Sequence, residues 1–103
     1  MLSTPFSQDL IVGRVDPDEQ TQPDIDLTSL KAEESGVSRF HARFSHKEET
    51  LYVEDMGSTN GTRINGFELA AGKSYRLTPS DEIELGSLRL TAQVIANERR
   101  RGR

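Results

Sequence analysis

Three short clusters carry residue types that bind anions or do chemistry: Gly13-Arg14, Ser38-Arg39-Phe40-His41 and Gly57-Ser58-Thr59-Asn60-Gly61-Thr62. Together they hold two guanidinium groups, several hydroxyls, one side-chain amide and a Gly-rich backbone. A guanidinium is a planar, permanently charged fork of donors, hydroxyls add single donors, and successive N–H groups in a Gly-rich turn form a concave nest. That set of groups suits a dianionic tetrahedral oxyanion. Ser38 and His41 have a spacing that invites a nucleophile and base. In an extended strand, however, residues i and i+3 face opposite sides, so the two would not meet. His41, His46 and Asp55 would hold a metal only if separated positions converged, and nothing in their spacing requires that. With no paired acidic motif and no activated nucleophile, the expectation is not an enzyme.

The elements that must position these clusters read as strands. Phe40, Ala42 and Phe44 alternate with Arg39, His41 and Arg43; Leu51 and Val53 alternate with Tyr52 and Glu54; Leu88, Leu90, Ala92 and Val94 alternate with Arg89, Thr91 and Gln93. Leu10 to Val12, Ile25 to Leu27, Tyr75 to Leu77 and Ile83 to Leu85 are shorter apolar runs. Turn signals at Asn60-Gly61, Asn65-Gly66, Ala71-Gly72 and Gly86-Ser87 separate many of them. No window of helical length keeps a helical apolar period free of Gly and Pro. Asp16 to Asp24, acidic and holding Pro17 and Pro23, predicts an exposed loop, and Thr28 to Gly36 has room for one helical turn around Leu30 to Glu34 before Ser35-Gly36 ends it.

Length and composition set the outer limits. At 103 residues, 33% hydrophobic and 29% charged, the chain predicts one small domain whose apolar core is sufficient but not generous. Cysteine is absent, which removes disulfides, thiol nucleophiles and thiolate metal sites. No run approaches a membrane span and Met1 to Leu10 lacks the regions of a signal peptide, so the expected compartment is the cytoplasm. Four of the 13 basic residues are Arg99, Arg100, Arg101 and Arg103, leaving 9 basic against 17 acidic in residues 1–98, a balance of -8. Nucleic acid is therefore a poor candidate for the main partner, and any bound anion must be held at a local site. The Arg cluster reads as a solvated tail or the start of a linker.

In this order, and within this strand pattern, the clusters resemble the forkhead-associated (FHA) domain, a phosphothreonine-peptide binding module. The residues that carry the resemblance are Gly13-Arg14 after Leu10 to Val12, then Val37-Ser38-Arg39-x-His41-Ala42, then Tyr52-Val53-x-Asp55-x-Gly57-Ser58-Thr59-Asn60-Gly61-Thr62-x-Ile64-Asn65-Gly66. It continues through the Gly86 turn to the last strand and covers residues 9–95, leaving 1–8 as an N-terminal extension and 96–103 as a basic tail or linker. The resemblance implies an all-β, twisted β-sandwich of short antiparallel strands (FHA/SMAD-like), with binding loops at one end. It assigns Arg14, Ser38, Arg39 and Thr59 to the phosphate and Asn60 to the ligand's backbone. Gly13, His41, Gly61 and Thr62 become structural support, with Gly61 and Thr62 shaping a pocket for the threonine methyl and Asn65 mostly structural. No metal, cofactor or small-molecule substrate is implied. The partner is a phosphothreonine-containing protein or peptide, recruited after a kinase has acted. The rival is an assembly domain of the same fold that binds through a non-phosphate face.

The chain departs from the family in two places. The stretch between Gly13-Arg14 and Ser38 is longer than in compact members, and in Thr28 to Gly36, the loop expected to meet residues after the phosphothreonine, Lys31, Glu33 and Glu34 are mixed in sign. Only Met1 to Val12 precede Gly13, where the family usually places two strands. The missing strand would leave Leu88 to Ile95 on an unprotected edge, which predicts a fragment of a longer protein or an edge-strand dimer, with Met1 to Ser7 folding back as the competing outcome.

Overall fold

The alternating segments become short strands in the computed structural model of the chain, which describes residues 9–92. In chain order these are β1 (Leu10–Gly13), β2 (Ile25–Asp26), β3 (Ala42–Lys47), β4 (Thr50–Asp55), β5 (Thr62–Ile64), β6 (Phe67–Glu68), β7 (Ser74–Leu77), β8 (Ile83–Leu85) and β9 (Leu88–Leu90). They form a five-stranded sheet of order β2-β1-β3-β4-β7 and a four-stranded sheet of order β6-β5-β8-β9. Period-two burial is clean on β4, where Leu51, Val53 and Asp55 point inward, and on β8, where Ile83 and Leu85 do. Val12, Phe44, Leu51, Val53 and Leu77 of one sheet and Ile83 and Leu85 of the other share one apolar core. The architecture is the expected all-β sandwich.

Strand register brings the clusters together. Val12 pairs with Ala42, and Ala42 pairs with Asp55, so the end of β1, the start of β3 and the end of β4 lie side by side. Gly13-Arg14, the Ser38–His41 segment and the Gly57–Gly61 segment leave the large sheet at that end, the last of them entering the small sheet at Thr62. Leu85, next to the Gly86-Ser87 turn, pairs with Thr62 and closes the rim.

Four details differ from the expectations. β1 and β2 are parallel, because the loop after Gly13 crosses back: Ile11 N–H donates to Asp24 Oδ2 at 2.8 Å and Leu27 N–H to the Gly13 carbonyl at 2.8 Å. The strand read from Arg39 begins only at Ala42, and Arg39-Phe40 is a turn, so His41 and Ala42 are both fully buried instead of facing opposite sides. The helical turn starts earlier than expected, as a 3-10 segment Thr28–Leu30 ended by Lys31 in the left-handed region. β9 stops at Leu90; Val94 and Ile95 lie outside the described residues.

At the opposite end, Lys47 pairs with Thr50 and the hairpin turns on Glu48 and Glu49, at φ 52° and 67°. Both residues sit in the left-handed region that a two-residue hairpin demands and that Asn-Gly adopts readily. Adjacent glutamates carry no turn signal, so composition hides this turn. Replacing Glu48-Glu49 by Asn-Gly is expected to stabilise the domain by about 1 kcal/mol, seen as a higher urea midpoint with an unchanged slope.

Candidate functional site

Gly13 lies against the turn that carries Ser38 and Arg39. A side chain at this position would collide with the Arg39 carbonyl oxygen and sit 2.7 Å from the Ser38 carbonyl oxygen, so only glycine permits the contact. The approach lets Arg14 N–H donate to the Ser38 carbonyl at 3.3 Å and Arg14 Nε to the Val37 carbonyl at 2.8 Å. Held by its inner nitrogen, the Arg14 guanidinium keeps two terminal nitrogens without a partner among the described residues.

His41 ties this turn to the next loop. Its backbone continues the ladder, N–H to the Val12 carbonyl at 2.9 Å and carbonyl from Met56 N–H at 3.0 Å. Ser38 N–H donates to ring Nδ1 at 3.0 Å, so Nδ1 carries no proton, and Nε2–H donates to the Gly61 carbonyl at 2.9 Å. Both backbone partners have a fixed sense, so the ring is the neutral Nε2–H tautomer. Because residues 38–41 turn, Ser38 and His41 do meet, through a main-chain amide rather than the hydroxyl. That contact offers no path for general base catalysis at Ser38.

Asp55 organises the third cluster. Its Oδ2 accepts the N–H groups of Gly57 and Ser58 at 3.0 and 3.1 Å, and its Oδ1 accepts the hydroxyls of Ser58 and Thr62, each at 2.6 Å. Ser58 Oγ in turn accepts Gly61 N–H at 2.9 Å. Thr59 and Asn60 remain exposed at the tip, where Thr59 N–H donates to Ser38 Oγ at 3.1 Å and Asn60 Nδ2 to the Gly36 carbonyl at 3.0 Å. The Ser38 hydroxyl proton and the Thr59 hydroxyl are not spent on any described residue. Beyond Asn60 an open groove of about 420 Å³ runs between Ser35-Gly36 and Gly86-Ser87, with Arg63 in its wall. Ser87 N–H closes it by donating to the Ser35 carbonyl at 2.8 Å.

A model of the FHA domain matches residues 10–86. The chain belongs to the FHA family. FHA domains are typically non-enzymatic interaction modules, and membership makes this domain a phosphopeptide-binding module in general terms. It is 41% identical over 70 residues to protein FraH of Nostoc sp., covering 68% of this chain and 24% of that protein. It is 35% identical over 72 residues to human angiogenic factor with G patch and FHA domains 1, covering 64% of this chain and 10% of that protein. The chain thus spans a quarter or less of the length of the curated relatives it matches. Among solved structures, the FHA domain of the CT664 protein from Chlamydia trachomatis superposes with a TM-score of 0.68 at 24% identity, over 90% of this chain and 83% of that one. Mycobacterium tuberculosis EmbR, in complex with a low affinity phosphopeptide, superposes at 0.64 with 23% identity, over 87% of this chain and 21% of its own. Among the described residues no helix is long and apolar enough to cross a membrane.

The structure brings Arg14, Ser38, Thr59, Asn60, His41 and Gly61 of this FHA domain into one constellation. Arg39 lies beside it, its guanidinium 5.0 Å from the centre of the Phe40 ring. Thr62 is fully buried, and with its hydroxyl on Asp55 it lies beneath the site. Asn65 spends its side chain on Asp81 and on Glu82 N–H, each at 2.9 Å, and is structural. His41, His46 and Asp55 do not gather, and no group of three potential ligands is placed to hold a metal among the described residues. Asp55 and Ser58 were missed as site-builders. The signal was in the chain, since an Asp followed two and three residues later by Gly and Ser is a side-chain-capped turn.

Burial is the largest single influence on the two buried titratable groups, and it prevails at His41 but not at Asp55. It pushes the His41 imidazole below its ordinary 6.5, with the Gly61 carbonyl and the Asp55 charge only partly offsetting it. Burial also works against the Asp55 charge, but the Ser58 and Thr62 hydroxyls and the Ser58 and Gly57 N–H groups together hold its carboxyl below the usual value. As pH falls through 6.5 the unfolded chain gains a proton at His41 that the folded ring refuses, so stability present above that pH is progressively lost by up to about 1.4 kcal/mol per pH unit. Urea unfolding between pH 7.5 and 5.5 is expected to show this loss, and His41→Asn a shallower one. His41→Ala, which orphans two backbone groups and leaves a cavity, is expected to cost about 2–4 kcal/mol of stability at pH 7.5.

Proposed function

We propose that this FHA domain reads phosphothreonine and recruits partners after a kinase has acted on them. The observation that carries the reading is the division between spent and unspent groups. The ring of His41, the carboxylate of Asp55 and the hydroxyl of Ser58 are committed to the loops. The terminal nitrogens of Arg14 and the hydroxyl protons of Ser38 and Thr59 are left over, on residues already joined to one another through Ser38. Leftover donors on a fixed frame suit a dianion with three exposed oxygens. Arg39 adds a second positive charge. Asn60 keeps its Oδ1 acceptor and one amide proton for the backbone of an extended peptide, which sets register without reading side chains. The groove beyond Gly36 accepts residues that follow the phosphothreonine. The preference for threonine over serine comes from the family resemblance.

The domain is expected to bind a phosphothreonine peptide with micromolar affinity, its phosphoserine counterpart more weakly and the unphosphorylated peptide not measurably. Micromolar binding corresponds to roughly 8 kcal/mol, and calorimetry giving the same curve for all three peptides would refute the reading. Arg14→Ala is expected to weaken phosphopeptide binding by about 2 kcal/mol, roughly thirtyfold, and to lower the melting temperature by a few degrees through the lost bond to the Val37 carbonyl. Arg76→Ala, on the exposed face of β7, is the control. Equal small effects from the two would mean that the phosphate contact is elsewhere.

A further inference from the structure

We infer that Glu19 is a built-in competitor for Arg39, a resident carboxylate that an incoming phosphate must displace; this regulation of the site rests on the phosphothreonine reading above. Glu19 Oε1 lies 3.6 Å from Arg39 Nη2. That is close enough for an ion pair and longer than the roughly 2.7–2.9 Å of a charge-assisted hydrogen bond. The Arg39 Nε is buried and has no hydrogen-bond partner. A guanidinium stacked on Phe40 thus has its charge only loosely answered at Nη2, and its buried Nε makes up none of the deficit. Such a cation is poised for a better acceptor than the one it has.

Glu19 does not meet Arg39 by accident of a free loop. Gln22 clamps the segment: its Nε2 donates to the carbonyls of Asp16 and Glu19, each at 2.6 Å, and its Oε1 accepts Asp16 N–H at 3.1 Å. Glu19 N–H donates to the Asp16 carbonyl at 3.0 Å and Asp18 N–H to Asp16 Oδ1 at 3.0 Å. The loop that looked like mere acidic surface is a closed ring that presents one carboxylate to one arginine of the site. Since Glu19 is half-exposed, the contact is solvent-screened and its strength is that of a surface ion pair. That is weak enough to open and strong enough to lower the affinity for every competing anion.

The test is an NMR titration at pH 7.5 and fixed ionic strength, with inorganic phosphate as one probe and a degenerate peptide mixture around a fixed phosphothreonine as the other. Reporters are the Arg39 Nε–H and Thr59 N–H resonances. Glu19→Gln is expected to tighten both probes about two- to fivefold, the range of one exposed ion pair. Glu49→Gln, which makes the same charge change at the far hairpin, is expected to leave both unchanged. In an Arg39→Ala background the gain from Glu19→Gln is expected to vanish at Thr59 N–H. A gain that persists without Arg39, or no gain for either probe, overturns the competitor. If phosphate tightens at Arg39 while no variant binds the phosphothreonine mixture, the competitor stands and the phosphothreonine reading falls. If the mixture binds wild type and neither probe gains from Glu19→Gln, the competitor falls and the reading stands.

Discussion

The hydrogen bonds of the His41 ring are the constraint on which the rest of the site depends. Ser38 N–H on one side and the Gly61 carbonyl on the other belong to loops that leave different strands, and Gly61 leads into the second sheet. One buried neutral imidazole therefore sets the distance between the loop that carries Ser38 and Arg39 and the loop that carries Thr59 and Asn60. A protonated ring would aim a second N–H at the Ser38 amide, two donors facing each other, so both loops hold their spacing only while the ring is uncharged. The least exposed polar ring of the domain thus fixes groups that are themselves at the surface.

Asp55 does for one loop what His41 does between loops. Four donors on one carboxylate leave the segment from Gly57 to Thr62 little freedom to rearrange, and the positive φ of 85° at Gly61 is the backbone geometry that lets the loop turn back to the imidazole. Gly36 and Gly13 serve the same end by sterics. A side chain at Gly36 would stand 2.5 Å from Asn60 Nδ2 and break the contact that aims the Asn60 amide. Framework and recognition are thus divided among neighbouring residues, with buried groups saturated and exposed ones left free.

Much of this was legible in the chain. Alternation at Leu51–Val53 and the apolar runs at Leu10, Tyr75 and Ile83 mark strands because a two-faced sheet has a period of two, and Asn65-Gly66 marks a hairpin because both its residues take a positive φ. What was not legible has physical causes. Alternation from Phe40 to Phe44 put His41 on the wrong face, because a turn at Arg39-Phe40 breaks the period and local pattern cannot register a turn made by contacts with distant Gly13. The parallel pairing of β1 with β2 depends on Asp24 reaching Ile11, a side-chain contact that spacing does not encode. The partner of Arg39 lay in the acidic loop, where composition reads only surface charge.

The two ends of the sandwich are under unequal demands. Every loop at the site end is tied to another, whereas the Glu48-Glu49 turn closes a hairpin whose strands run six residues each from the site to the far end, roughly 16 Å away at the usual rise per residue. Its left-handed glutamates are held by the ladder on either side. The chain can therefore be lengthened, labelled or spliced to a second protein at this bend while recognition proceeds at the other end. In a longer polypeptide the same bend gives the module a blunt back, against which neighbouring segments can grow or be lost without passing near a bound ligand.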